Sequence, residues 1–476
     1  MSNLNQILLQ PTDVLFFRDG RPMGGSLAGH TAAWPLPDVT NHALHAALHR
    51  AELADVHAHR RGRSGEYSTE AEHRDRKFGS LLTAGPFPVN SVGQWFLPRP
   101  KDAQVNGSVQ ATLQPVRSLN KDGNDDPWLP SSLPVSLEYA VANTQAPNKE
   151  GGGEPWISTK AFDAYLKGEA FTGEQRSEHF LTDDQIADRE HQIGIAIDPD
   201  TQTTGQGEAA GKIYSAHYLR LREGFRLGLF AEAMDKLNGD GNSRRDLIKA
   251  LLNGHPEQIV VGGQQRICSA SRTAVNDTLP LPQGLSADSQ FQKLPHGRFA
   301  VKWVLLTPAI WPEIPATSRD GRAMTPHPGG WLPNWIDQRS GAVLLRQRFG
   351  RVHRDYSGPK AKRVAEQESP IGARLVAAIV PKPVPVTGWA LPNGSDRPEG
   401  GAKSTHLAVP AGAVYYFEAD SAAQAAALAK ALNWHGATGG TEIKHRRSTL
   451  LGEKGYGLGV CGTWSFFGEV LGRPMK

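Results

Sequence analysis

The chain has little cysteine, no long apolar run and none of the common enzyme signatures, and each lack narrows what it can be. Only two cysteines, Cys268 and Cys461, occur in 476 residues. Two thiols cannot build a four-cysteine zinc site and outline no disulfide framework. Both sit in apolar stretches, as small core residues do. No window approaches the roughly 18 apolar residues of a membrane span, and the opening MSNLNQILLQPTDVLFF has no basic region ahead of a long apolar one. A reducing cytoplasm is the expected compartment, with no membrane partner. There is no Gly-x4-Gly-Lys-Ser/Thr phosphate loop, no His-Glu-x-x-His helix and no His-Asp pair. Asp198, Asp200 and Gln202 start like a calcium loop, but Thr203 stands where that loop needs glycine and Ala209 where it needs glutamate. No metal or cofactor is expected.

What is present points to a loop-rich protein. Glycine (51) and proline (34) are abundant, hydrophobic content is 39%, and the formal net charge is only +4. Such a composition predicts short strands and many turns. It also excludes a free-standing nucleic-acid packager, though not a protein that contacts nucleic acid along one groove, where local clustering matters more than the total.

Periodicity predicts two successive α+β units. In the first, residues 4–9 and 13–17 read as a strand and its exit, followed by the glycine-rich FFRDGRPMGG. A helix follows Pro35 and Pro37, capped by Asp38 or Thr40, with Ala43, Leu44, Ala47, Leu48 and Ala51 as its buried stripe. HQIGIAID and KIYSAHYLRL read as a long hairpin (about 190–221) around a polar tip almost free of hydrophobic surface. FRLGLFAEA is a strand, SRRDLIKALLN a short helix, and QIVVGGQQRI a strand breaking at Gly262-Gly263. The second unit contains the strands RFAVKWVLLTPAIW, RLVAAIVPKPVPV and GAVYYFEA, then DSAAQAAALAKALN, a helix capped by Asp420 or Ser421. It closes on a glycine-rich loop running into a strand, GEKGYGLGVCGTWSF. The boundary is expected near 280–297, giving domains 1–292 and 293–476. Residues 55–80 and 101–154 read as mobile surface insertions.

Five segments in order carry a resemblance. Phe16-Phe17-Arg18-Asp19-Gly20-Arg21-Pro22 with Trp34-Pro35-Leu36-Pro37, the hairpin, Gly262-Gly263-Gln264-Gln265-Arg266, Val409–Phe417, and Gly455-Tyr456-Gly457-Leu458-Gly459 together resemble the RAMP superfamily of the Cmr type. Within it the pattern is similar to the family of the third subunit of type III-B CRISPR RNA-silencing complexes. That resemblance implies two ferredoxin-like (RRM-like) domains with a hairpin thumb. It implies a non-catalytic subunit that grips the 5′ handle of the CRISPR guide RNA in antiviral defence. Its implied neighbours are the large polymerase-like subunit and the backbone RAMP subunits, with target RNA met indirectly. One departure stands out: where the family often has Gly-Ala-Leu-Arg, this chain has His42-Ala43-Leu44-His45, and a neutral imidazole is a poorer phosphate partner than a guanidinium.

A single-stranded handle is recognised through phosphates and splayed bases. The expected RNA contacts are therefore Arg18, Gly20 and Arg21 in the first loop, Thr40 and His45 on the first helix, and Arg266 beyond its two glycines. The last group is the glycine-rich loop, where Gly455, Gly457 and Gly459 beside Tyr456 let backbone N–H groups approach a phosphate and Lys444, Arg446 and Arg447 supply charge. At the thumb, Asp198 and Thr203 begin the tip, and Ala209, Ala210 and Gly211 are small enough to lie against a sugar–phosphate chain. His45 and His49, with His42, have helical spacing but no fixed third ligand, so a solvated face outweighs a metal. The competing function is metal-independent cleavage of guide RNA, which needs an imidazole near the 2′-hydroxyl and a cation on the developing charge.

Overall fold

The computed structural model describes residues 4–17, 34–53, 81–103, 114–117, 137–142, 153–169, 176–195, 197–198, 200–204, 213–234, 245–275, 277–317, 321, 324–346, 369–390 and 401–466. Arg18, Gly20, Arg21, Ala209, Ala210, Gly211 and the insertion 55–80 lie outside the described residues.

In chain order the first half contains β1 (Asn5–Pro11), α1 (Pro37–Arg50), β2 (Leu82–Val89), β3 (Phe96–Pro98), β4 (Gln114–Arg117), β5 (Tyr139–Ala142), β6 (Trp156–Ser158) and α2 (Thr159–Lys167). After the short α3 (Arg176–His179), β7 (Phe180–Leu181) and α4 (Asp183–Ile186) come β8 (Ala187–Ile195), β9 (Ile213–Leu221), β10 (Arg226–Glu232), α5 (Leu247–Leu251), β11 (Glu257–Val260) and β12 (Ile267–Ala274). The second half contains β13 (Phe299–Leu305), β14 (Ala373–Ile379), β15 (Val384–Val386), β16 (Trp389–Ala390), β17 (Gly401–Ala402), β18 (His406–Ala408), β19 (Val414–Ala419), α6 (Ala422–Leu432) and β20 (Gly459–Gly462).

Two antiparallel sheets dominate this mixed α/β fold. The first runs β11-β12-β1-β10-β2 and the second β14-β19-β13-β20. Alternation along β1 divides its side chains: Ile7 and Leu9 join the core under α1 and α5, while Leu8, with Leu4 just ahead of the strand, packs on the core shared with the other sheet. Phe87 and Phe230 of the first sheet meet Val304, Tyr416 and Val460 of the second in that shared core, with Phe162 and Tyr165 of α2 packed among them. The outer face of the second sheet is covered by α6, which places Leu428 and Leu432 against Trp303 and Tyr415. The layers therefore run helix, sheet, sheet, helix.

Most helix stripes follow the sequence. Ala43, Leu44, Ala47 and Leu48 are buried along α1, whereas Ala51 lies past its end and is exposed. Ser421 caps α6, accepting from Gln424 N at 3.2 Å, and Asp246 caps α5. At α1 the expected side-chain cap is absent. The helix starts on Pro37 with Leu36 as cap residue, Thr40 Oγ1 turns back to Pro37 O at 3.1 Å, and Asp38 accepts from Tyr456 Oη instead.

A buried polar knot ties the halves together. Tyr165 and Tyr416 donate to the two oxygens of Asp102, at 2.5 and 2.8 Å, and Lys302 Nζ lies 4.0 Å from the same carboxylate and 3.6 Å from the Tyr165 ring centroid. Neither Lys302 nor Asp102 reaches solvent. Glu418 is equally buried and is met by Tyr139 at 2.5 Å, His296 at 2.9 Å and Arg374 at 3.1 Å. Tyr139 belongs to β5, inside the insertion 101–154. That stretch is not wholly a surface excursion: β4 pairs with β5, and Tyr139 packs on Trp464 and Phe466. Residues 277–297 also lie on the second half, through Leu279 N to Gly440 O and Leu285 N to Cys461 O. Cys268 and Cys461 are both free and buried, and burial pushes the Cys268 thiol up to about 12. Among the described residues no helix is long and apolar enough to cross a membrane.

Candidate nucleic-acid interface

Three of the marked segments converge between the two sheets. The glycine-rich loop lies on the start of α1: a Cβ on Gly455 would touch Thr83 O at 3.0 Å and Pro37 at 3.4 Å, and Tyr456 reaches Asp38 at 2.6 Å. The turn at Pro410-Ala411 closes the other side. Next to them is a cavity of about 410 Å³, lined among others by Trp34, Pro86 and Trp156 of the first half and Leu306, Pro385 and Ala411 of the second. A bulge between β2 and β10, where the register shifts between Gly228 and Phe230, aims Pro86 O at Trp34 Nε1, 3.1 Å away. The Trp34 and Trp156 rings are 5.0 Å apart. Lys382 stands exposed at the lip.

Positive charge gathers on the neighbouring surface. Lys454 Nζ donates to His42 Nε2 at 2.7 Å. Crowding by protein atoms, then the charges of Lys454 and Lys403, hold His42 down at about 3, so it is neutral at pH 7. Sequence reading did not single out Trp156, Lys382, Lys403 or Lys454. Nothing in their spacing marks them, because long connections bring them together.

The glycine-rich loop itself does not offer the expected phosphate cradle. Gly457 N donates to Pro308 O at 2.7 Å and Gly455 N to Gly452 O at 3.0 Å. A Cβ on Gly459 would meet Trp303 Nε1 at 2.2 Å, so that glycine makes room for an indole. Tyr456 is fully buried. The basic run turns inward as well. Arg447 donates from Nε to Ala431 O at 2.8 Å, and Arg446 from Nη1 to Ile443 O at 3.3 Å. The reason is local: Ala431 lies in the last turn of α6, where carbonyls lack helical partners and attract a cation. Lys444 stays exposed but pairs with Glu442 at 2.8 Å. Thr40 is buried in α1, and His45 lies half-buried with its ring 4.3 Å from that of His49. Among the described residues no three ligand-type side chains could hold a metal.

A second cluster forms where the thumb is rooted. β8 and β9 pair from Ala187↔Leu221 to Ile195↔Ile213, and Leu15 bridges to Leu219. Gly262 and Gly263 pack so closely on Phe16 that a Cβ at Gly262 would lie 2.5 Å from Phe16 O. This brings Arg266 over the Tyr218 ring at 5.0 Å and within 3.8 Å of Asp13. Arg220 holds Asp13 at 2.7 Å and also binds Glu190; its guanidinium keeps the Asp13 carboxyl below the ordinary range. Arg266 is therefore engaged inside the protein. At the thumb tip Asp198 accepts from the backbone of Asp200 and Thr201, and Thr203 bonds Thr201, so these two side chains shape the turn. The shank carries apolar surface that the polar tip lacks: Ile193, Ile195 and Ile197 are 68%, 56% and 61% exposed.

Two antiparallel sheets sharing a core, with a long hairpin, define a mixed α/β protein. The sequence profile described as "CRISPR-associated protein (Cas_Cmr3)" matches residues 7–464, and the chain belongs to that family. It is thus a member of the subunit families of type III CRISPR effectors. Similar solved structures include a chain of the type III-B Cmr-beta complex bound to cognate target RNA, at 13% identity and TM-score 0.36, with 86% of each chain covered. A chain of the same complex with target RNA and AMPPnP gives 12% and 0.35, with 86% of each chain covered. A chain of the Csm3–Csm4 subcomplex of a type III-A interference complex gives 9% and 0.33, covering 86% of this chain and 92% of that one. No curated protein matches the sequence.

Proposed function

We propose that this chain is a non-catalytic, guide-RNA-binding subunit of a cytoplasmic type III-B antiviral effector complex. It grips the 5′ handle and helps to assemble the large polymerase-like subunit and the backbone subunits around it. The observation that carries this reading is that Trp34–Pro37 and Pro410–Ala411 line one cleft with Lys382 at its edge, while the glycine-rich loop packs on Pro37 next to it and carries the Lys454–His42 pair. Both units are read as ferredoxin-like. The orders β12-β1-β10-β2 and β20-β13-β19-β14 each follow the fourth-first-third-second arrangement of a split β-α-β repeat, with α1 and α5 in the first unit and α6 in the second.

One observation favours cleavage as a second reading: a neutral imidazole touches an ammonium beside the cleft. It is a weak one. A general base works best near the operating pH, and a group held at about 3 is a poor proton acceptor. The deciding experiment incubates pure protein with end-labelled CRISPR repeat RNA in EDTA and measures handle affinity with and without the large subunit. Binding alone should be weak and should tighten when the large subunit shares the strand, with no cleavage. Equal affinity in both conditions refutes the assembly role, and EDTA-resistant cleavage lost in His42→Ala establishes the second reading.

A further inference from the structure

We propose that His191 and His217, opposite each other across the thumb, form a two-imidazole site for a transition-metal ion of the Zn²⁺, Ni²⁺ or Cu²⁺ class, and that the ion braces the hairpin. The proposal does not depend on the RNA reading. His191 of β8 and His217 of β9 are register partners, and their rings are stacked with centroids 4.6 Å apart and planes 25° from parallel. Both residues are exposed, and among the described residues neither ring has a hydrogen-bond partner.

The ribbon fixes the pair. Directly opposed residues of an antiparallel pair share one face, with Cβ atoms about 4.5–5.5 Å apart. The other face is already occupied, because Ala216 and Tyr218 pack on Val14 and Phe16 where the thumb is rooted. The two histidines are thereby held on the solvent side. Their surroundings tolerate a cation: Arg189, next toward the root on the same face, has its guanidinium 3.5 Å from Asp183, and Ile193 and Ser215 follow toward the tip. Metal–nitrogen bonds are about 2.0–2.1 Å long, so two imidazoles already side by side reach one ion by side-chain rotation alone. The donors select the ion. Imidazole nitrogen suits zinc, copper and nickel, whereas calcium and magnesium take oxygen ligands. Among the described residues no third ligand-type side chain joins the pair, so the other coordination positions belong to water or an added ligand. The ion has something to act on. A two-stranded ribbon is marginally stable by itself, and a one-residue slip would send the two histidines to opposite faces. An ion bound to both strands therefore ties them together and holds their register. Neither histidine stands out in the sequence, because only that register makes them a pair.

The test titrates the protein with Cu²⁺–nitrilotriacetate, a chelate that leaves two adjacent coordination positions open, and follows binding by calorimetry. All proteins carry His49→Ala, which removes a second close histidine pair, His45 and His49 on α1. With both thumb histidines present, the chelate should bind at least about 10-fold more tightly than to His191→Ala or His217→Ala, because the second imidazole acts within the same molecule. Both side chains are exposed, so neither change endangers the fold. Hydrogen exchange gives the second readout. Backbone amides of 187–195 and 213–221 should exchange several-fold more slowly with the chelate bound, and at the chelate-free rate in either single variant. Equal affinity in all three proteins overturns the site and leaves the stacked rings as a cross-strand packing pair only. Tight binding that needs both histidines but leaves exchange unchanged supports the metal site and overturns the brace.

Discussion

Gly457→Ala should destabilise the fold well beyond the cost of a left-handed backbone, and Gly439→Ala measures that cost separately. Both glycines have positive φ, +79° and +68°. Nothing lies within 4 Å of a Cβ built on Gly439, whereas one on Gly457 would lie 2.1 Å from Ser448 N and 2.9 Å from the Arg447 carbonyl carbon. Those neighbours are backbone and cannot swing away. They are also held: Arg447 N donates to Gly457 O at 2.7 Å, and Ser448 Oγ accepts from Ile310 N at 2.8 Å. A left-handed non-glycine residue costs about 1–2 kcal/mol. Overpacking adds about 1–3 kcal/mol where the surroundings cannot yield. The Gly439 variant should therefore lose about 1 kcal/mol and the Gly457 variant about 2–5 kcal/mol. Urea titration of wild type and both variants, followed by far-UV circular dichroism, reads the difference. Equal midpoints for the two variants would refute the packing account and return Gly457 to a role outside the fold.

Three further outcomes are expected. Asp102→Ala should cost about 3–5 kcal/mol in the same titration, because it leaves the Lys302 ammonium buried without its carboxylate; a loss under 1 kcal/mol would contradict the pairing. Joining Ile195 to Ile213 through Asn-Gly, in place of residues 196–212, keeps the observed register and should leave the urea midpoint unchanged. Guide RNA should still bind, but if the thumb holds a base of the bound strand out of its stack, that base should become less reactive to a single-strand probe, and an unchanged pattern would refute such a role. Stability should fall as pH drops below about 6.5, in part through His445. Burial and Arg447 hold this imidazole at about 3 in the folded protein, so between those values the unfolded chain binds the extra proton. The slope from one such group is at most about 1.4 kcal/mol per pH unit and less for a half-buried ring; His445→Gln should flatten the pH dependence of the midpoint.

Much of the fold was legible because local pattern and tertiary role agree. β13 (FAVKWVL) and β19 (VYYFEA) are buried on both faces and read as near-continuous apolar runs. The thumb was legible from two strands around a polar tip, and its paired register begins only three residues before the expected start. The α1 cap was misread because a local rule favours Asp38 or Thr40, while the Asp38 carboxylate is claimed by Tyr456, 418 residues away in sequence. Position 101–154 was misread for the same reason. Composition marks the stretch as polar, but Tyr139 with Glu418 and two aromatic neighbours, and Asp102 with Tyr165 and Tyr416, anchor parts of it.

Three of the marked segments lie together in the fold, but what their glycines and arginines touch was not legible in the sequence. A series such as Gly455, Gly457 and Gly459 has two physical meanings: backbone that must come close to a ligand, or backbone that must come close to protein. Only contacts separate them. At Gly459 the close neighbour is an indole, at Gly457 a backbone nitrogen, and the loop N–H groups point at carbonyls. The same ambiguity covers Arg446 and Arg447. A basic run resembles a phosphate track in sequence, yet here Arg447 binds a carbonyl in the last turn of α6, an electrostatic demand that every helix end makes. Both corrections move the RNA reading in one direction. With the loop donors and these arginines engaged inside the fold, the cleft is left with a mainly apolar lining and Lys382 exposed at its edge. The short loop N–H bonds and the apolar cavity are therefore linked: the loop closes on Pro308 and in doing so helps form the wall that Leu306, Thr307 and Pro308 give to the pocket.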